Sequence, residues 1–139
     1  MNFQDMFNRN QATSLSLEES GPIQGQLYNA IVEVSRDSMV DARLILAIIM
    51  QESTGNVYVR CTNNGVENCG IMQAYAGSIS YNPDDSQNSI SQMVRDGTQG
   101  TSQGPGLVQL FNGQTNLNTQ GVYRTFPSNS RSSSLIFLT

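Results

Sequence analysis

The chain has 139 residues, 13% of them charged, and a formal net charge of −4, which is enough length for one small domain with a core of ordinary size. All seven cations are arginines, scattered from Arg9 to Arg131 without a basic stripe, so nucleic acid is not an expected partner. With no histidine, lysine or tryptophan, the chain cannot supply a Ser/His/Asp or Cys/His nucleophile system, a histidine zinc site, a Schiff-base lysine or a phosphate loop ending in Gly-Lys-Ser/Thr.

Residues 1–20 are polar with scattered hydrophobics, and a loose lead-in is expected there. From Pro22 the spacing of Ile23, Leu27, Ile31 and Val34 predicts one face of an amphipathic helix reaching about Asp37. Asp41 then reads as the N-cap of a second helix that ends near Glu52. Ile45, Ile48, Ile49 and Glu52 share one face of it, and Leu44, Leu46, Ala47 and Met50 cover the rest. A helix apolar nearly all round is expected to run through the core and to deliver Glu52 into a cleft.

That placement makes Glu52 the leading candidate for chemistry. Of the eleven acids only Glu52 closes a strongly hydrophobic segment, and a carboxyl group beside apolar side chains disfavours its ionised form. Kept protonated near neutrality, it can donate a proton to a leaving group as a general acid. The composition, low in charge and rich in Ser, Asn, Gln, Thr and Gly, is common among secreted proteins that meet carbohydrate.

Cys61 and Cys69 flank a turn-rich stretch containing Asn63-Asn64-Gly65 and Asn68. A disulfide closing this loop would imply an oxidising compartment, and two free thiols in a reducing one are the alternative. Two cysteines alone make a poor metal site and no Cys-x-x-Cys is present, so neither a metal nor another cofactor is expected. The stretch Met1 to Phe7 has neither the basic flank nor the apolar core of a signal peptide; an extracellular location is expected, with the leader not part of this chain. The longest apolar run is too short to cross a bilayer, and no membrane partner is expected.

Further along, Gly70-Ile71-Met72-Gln73-Ala74 reads as the start of a short helix. Asn82-Pro83-Asp84-Asp85-Ser86 is a turn whose acids can cap the next helix, which turns Ile90, Met93 and Val94 inward and stops at Asp96-Gly97. A Gly/Ser/Gln/Thr loop to Gly106 precedes a helical stretch from Leu107 to Phe111, and one or two more turns are expected between Thr115 and Phe126 before Pro127. Residues 128–134 are mostly serine, and Leu135 to Leu138 form an apolar tail without periodicity. The expected organisation is a lead-in (1–20), one mainly α domain (21–127) and an atypical tail (128–139).

Glu52-Ser53-Thr54-Gly55-Asn56, followed eighteen residues after Glu52 by Gly70-Ile71-Met72-Gln73, resembles the Glu-Ser-x-x-Asn and Gly-Leu-Met-Gln motifs of soluble lytic transglycosylases and goose-type lysozymes. The flanking segments Val40-Asp41-Ala42-Arg43-Leu44-Ile45-Leu46 and Gln92-Met93-Val94-Arg95-Asp96-Gly97-Thr98 resemble the small secreted fungal branch of that lysozyme-like superfamily. The resemblance covers about residues 23–126. It implies a mainly α, lysozyme-like single domain whose central buried helix ends at the catalytic glutamate, with a sugar chain lying across that end.

By the same resemblance, Glu52 protonates the glycosidic oxygen and later takes a proton back, while Ser53 and Gln73 line the site and Met72 packs under the substrate. Each has a plainer reading: Ser53 satisfies a carbonyl at the helix end, and Met72 fills the core. Tyr58, Tyr75 and Tyr81 are candidate platforms for sugar stacking, or else partly buried tyrosines with wet hydroxyls. Glu67 is the candidate second carboxylate, or else an exposed loop acid. Two-carboxylate glycosidases hold their acids about 5–5.5 Å apart when retaining and about 6.5–9.5 Å apart when inverting; without a second acid, the substrate's own acetamido group must stabilise the reacting carbon.

The resemblance breaks at the C-terminus. Family members carry a Tyr-Asn-x-Gly segment whose tyrosine bonds the catalytic glutamate, where this chain has Ser128 for the tyrosine and Arg131 for the glycine, and the usual terminal helix gives way to the Ser-rich tail. The expected function is cleavage of β-1,4 links in peptidoglycan by a monomeric muramidase or lytic transglycosylase. A chitin-cleaving enzyme and an inactive secreted carbohydrate-binding or effector protein are the alternatives.

Overall fold

Pro22 sits in the first turn of a helix that runs from Gly21 to Ser38, where its missing N–H costs nothing. This helix and its neighbours belong to a computed structural model that describes residues 1–15 and 20–113. The expected turns between Thr115 and Phe126, the region of Tyr123 to Arg131, and the tail with Leu135 to Leu138 lie outside the described residues.

The described chain is mainly helical. In chain order it has α1 (Phe3–Asn10), a π-helical turn (Gln11–Leu15), α2 (Gly21–Ser38), α3 (Ala42–Ser53), a two-stranded antiparallel ribbon of β1 (Thr62–Asn63) and β2 (Glu67–Asn68), a 3₁₀ turn (Pro83–Asp85), α4 (Ser86–Gln99) and α5 (Leu107–Asn112). Among the described residues no helix is long and apolar enough to cross a membrane.

α2 buries Leu27, Ala30, Ile31 and Val34 and closes on Met39, whose left-handed backbone (φ 64°) lets its N–H reach the Ser35 carbonyl. After only Val40 and Asp41 the chain re-enters a helix. Asp41 caps α3 by accepting from the Arg43 amide at 2.8 Å, and the Arg43 guanidinium returns to the same carboxylate, holding the Asp41 carboxyl below the usual range. α3 buries Leu44, Ile45, Leu46, Ile48 and Ile49, so its apolar circumference places it inside the molecule. α4 lies along α2, pinned by Arg95, which bonds Glu33 and Asp37.

Three expectations need correction. The N-terminal segment is a helix and not a loose lead-in: Asn2 caps it, and Phe7 and Leu15 are buried. Phe3, Phe7 and Tyr28 form an aromatic cluster with ring centroids 5.0–5.9 Å apart, so three large apolar faces outweigh the polar composition around them.

Gly70 to Ala74 does not start a helix. Gly70 (φ 79°) and Gln73 (φ 46°) are left-handed, the Ala74 amide returns to the Cys69 carbonyl, and Ile71 and Met72 are driven fully into the core. α4, finally, runs through Asp96-Gly97 to Gln99 and ends at Gly100 (φ 86°). Gly97 is present for close packing: a Cβ there would lie 2.6 Å from the Met72 side chain.

Candidate active site

Glu52 is half-buried on the last turn of α3. Helix α3 stops there because Thr54 turns left-handed (φ 54°) and its N–H closes on the Met50 carbonyl. Gly55 follows with φ 84°, and a Cβ at that position would come within 2.1 Å of Leu15, so the N-terminal segment packs against the end of the Glu52 helix.

A cleft of about 390 Å³ opens at this end, lined by Gln51, Glu52, Ser53, Thr54, Val59, Thr62 and Gln73. The last two come from the segment between the cysteines and the turn after them, so the cleft joins residues from α3, β1 and the 70–74 turn. Cys61 and Cys69 are bonded as a disulfide, clamping that segment at its two ends.

Gln73 is held in the wall through both ends of its amide. Its Oε1 accepts from Thr62 Oγ1 at 2.7 Å, and its Nε2 donates to the Gly70 and Arg60 carbonyls at 2.9 and 3.2 Å. Gln73 therefore ties both sides of the cysteine loop together while lining the cleft with Glu52. Thr62 and Val59 lie outside the sequence motifs; adjacency to Cys61 is the only signal that could have pointed to Thr62.

Ser53 shares this lining, and the remaining predicted site residues lie apart from it. The Ser53 hydroxyl is buried and donates toward the Ile71 and Ile49 carbonyls at 2.9 and 3.0 Å, the geometry of the plainer, carbonyl-satisfying role. Met72 is fully buried against Gly97, with the Thr98 hydroxyl 3.8 Å from its sulfur, and it does not line the cleft. Tyr75 packs over Gly104, also outside the cleft lining. Tyr58 is exposed and meets Tyr81 edge-on, ring centroids 4.9 Å apart.

Glu67 is exposed on β2, paired with Asn63, and is not among the residues that line the Glu52 cleft. Cys61, Glu67 and Cys69 bring three potential metal-ligand atoms within 4.8 Å of one another, but the disulfide takes both sulfurs and leaves the Glu67 carboxylate alone.

One buried carboxylate escaped the sequence reading. Asp96, only 4% exposed, accepts from the Ile79 amide at 3.0 Å and from Gln92 Nε2 at 2.8 Å. Burial pushes its carboxyl up, and the Gln92 and Ile79 hydrogen bonds partly oppose that rise. Its role is to fasten the 77–80 segment onto α4.

Comparison with protein-family models, with curated proteins and with solved structures finds no match to this chain.

Proposed function

We propose that the protein cleaves β-1,4 links in peptidoglycan as a lysozyme-like glycosidase, muramidase or lytic transglycosylase, with Glu52 as its general acid and base. The observation that supports this reading most is the single carboxylate of Glu52 at the end of a buried apolar helix, opening into a cleft whose wall carries Gln73. In the first step the Glu52 carboxyl gives its proton to the glycosidic oxygen as the bond to the anomeric carbon breaks. With no second carboxylate lining the cleft among the described residues, the acetamido oxygen of the substrate closes onto that carbon.

In the second step the Glu52 carboxylate takes a proton from the group that attacks. Water yields a reducing end, and the substrate's own 6-hydroxyl yields a 1,6-anhydro sugar. The same mechanism serves chitin, whose units all carry the acetamido group. Secretion into an oxidising compartment is consistent with the Cys61–Cys69 disulfide.

One observation favours a second reading, a carbohydrate-binding protein without turnover: the Ser53 hydroxyl is committed to main-chain carbonyls and so does not offer the sugar contact that the motif implies. Mass spectrometry of purified peptidoglycan incubated with wild type and Glu52→Gln separates the two. Products from wild type that vanish in a folded Glu52→Gln protein support the enzyme, and binding with no products from either supports the binder. Full activity of Glu52→Gln would end the assignment at this residue.

A further inference from the structure

Resting on the glycosidase reading of Glu52, we propose that its cleft continues past Gln51 into a second hollow, between α1 and α3, which binds an acetamido-bearing sugar of the same polymer through the Gln51 side-chain carbonyl. This hollow, about 250 Å³, is lined by Met6, Asn10, Ala47, Met50 and Gln51. Gln51 also lines the Glu52 cleft, so one side chain is common to both walls.

Gln51 Oε1 is buried and has no hydrogen-bond partner. The contrast with Gln73 is direct, because every polar atom of that amide is engaged. A buried carbonyl without a partner lowers the stability of the free protein, and departures of this kind concentrate where a ligand completes the arrangement. Rotation about the last torsion of a glutamine is soft, so the oxygen can turn toward a donor in either hollow.

The lining selects the class of donor. Met6, Ala47 and Met50 are apolar, Asn10 is a neutral amide held to the Met6 carbonyl at 2.8 Å, and no charged side chain takes part. A neutral group bearing both a methyl and an N–H fits such a wall. An acetamido substituent carries the two on either side of one carbonyl carbon, so its methyl meets the thioethers while its N–H meets Gln51. The N-terminal helix thereby becomes part of the substrate-binding surface.

The test uses tetra-N-acetylchitotetraose as the probe and calorimetric binding in the full-length Glu52→Gln protein, which keeps the oligomer intact. Gln51→Met matches the length of the side chain and removes the acceptor. Binding should weaken about tenfold while the urea midpoint rises, because the unpaired carbonyl is gone; a purely structural Gln51 would change stability alone. Ala47→Phe, which fills the hollow and keeps the Gln51 acceptor, should weaken binding too, and saturation-transfer NMR should show the acetamido methyls in closest contact. Unchanged affinity in both variants overturns the hollow and leaves the Glu52 assignment standing if wild type still releases products from peptidoglycan. An oligomer that neither wild type nor Glu52→Gln binds overturns the hollow, and peptidoglycan from which wild type releases no products overturns the glycosidase reading.

Discussion

The hydroxyl of Ser53 lies 2.9 Å from the carbonyl oxygen of Ile71 and staples the end of the Glu52 helix to the turn that carries Gln73. The same oxygen also reaches the Ile49 carbonyl and accepts from the Gly55 amide at 3.2 Å. One small side chain thus closes the helix, starts the left-handed exit and fixes the distance between the two walls of the cleft.

Ser53→Ala should therefore act on stability first. It deprives the Ile71 carbonyl of its side-chain donor inside the protein, and leaving a buried acceptor unpaired costs about 1–3 kcal/mol. Urea denaturation reads this directly. A serine that served only to hold sugar would instead raise KM at unchanged stability.

Gly97→Ala places a methyl 2.6 Å from the Met72 side chain, and overpacking of a filled core typically costs about 1–3 kcal/mol. Met72→Leu, which conserves volume, should cost less than about 1.5 kcal/mol. If Met72 formed a sugar platform, that second variant would impair binding while the first left it alone. Melting temperature and oligosaccharide affinity, measured together on both proteins, distinguish the two.

Replacing Cys61 and Cys69 by serine opens a loop of sequence separation 8, for which the chain-entropy estimate is about 2–3 kcal/mol of lost stability. Because Thr62 and Gln73 meet across that loop, activity should fall further than the stability loss alone accounts for at temperatures where the variant is folded. The check is a comparison of thermal melts and peptidoglycan turnover with and without reductant.

Glu67→Gln should retain a substantial part of the activity that Glu52→Gln loses, since Glu67 is exposed and outside the cleft lining. General acid catalysis contributes roughly 10²–10⁴-fold, so the two variants should differ by orders of magnitude in a cell-wall clearing assay. Equal losses would call for a paired-carboxylate mechanism.

Two aspartates should give stability opposite dependences on pH. Asp96 is raised by burial, so its contribution is complete below the unfolded value near 3.8 and is lost as pH rises through the folded value. Asp37 is lowered by the Arg95 guanidinium, so its contribution is present above 3.8 and is lost as pH falls through the folded value. Urea midpoints followed across the acid range should show Asp96→Asn without the decline on the rising side and Asp37→Asn without the loss on the falling side.

What could be read from the chain alone was what its local chemistry dictates. The periodicity of Ile23, Leu27, Ile31 and Val34, the Asp41 cap, the apolar circumference of α3 and the inward face of Ile90, Met93 and Val94 all have their counterparts in the structure, because helix registry and capping depend on neighbours within a few positions. The placement of Glu52 at the end of α3 follows from the same local logic.

The direction in which a loop side chain points is set by residues distant in sequence. Met72 turns into the core because Gly97 leaves room on α4, Ser53 finds a carbonyl eighteen positions away, and the N-terminal helix forms because Phe3 and Phe7 meet Tyr28. None of these has a signature in local spacing, since burial energy belongs to the pair of surfaces brought together and not to either segment. The sequence by itself determined α2, α3 and the inward face of α4, and which carboxylate ends the buried helix. Only the tertiary structure decided that Gln51, Thr62 and Gln73 share a cleft with Glu52 while Met72, Tyr75 and Glu67 do not, because a cleft is a relation between surfaces that the chain must fold to create.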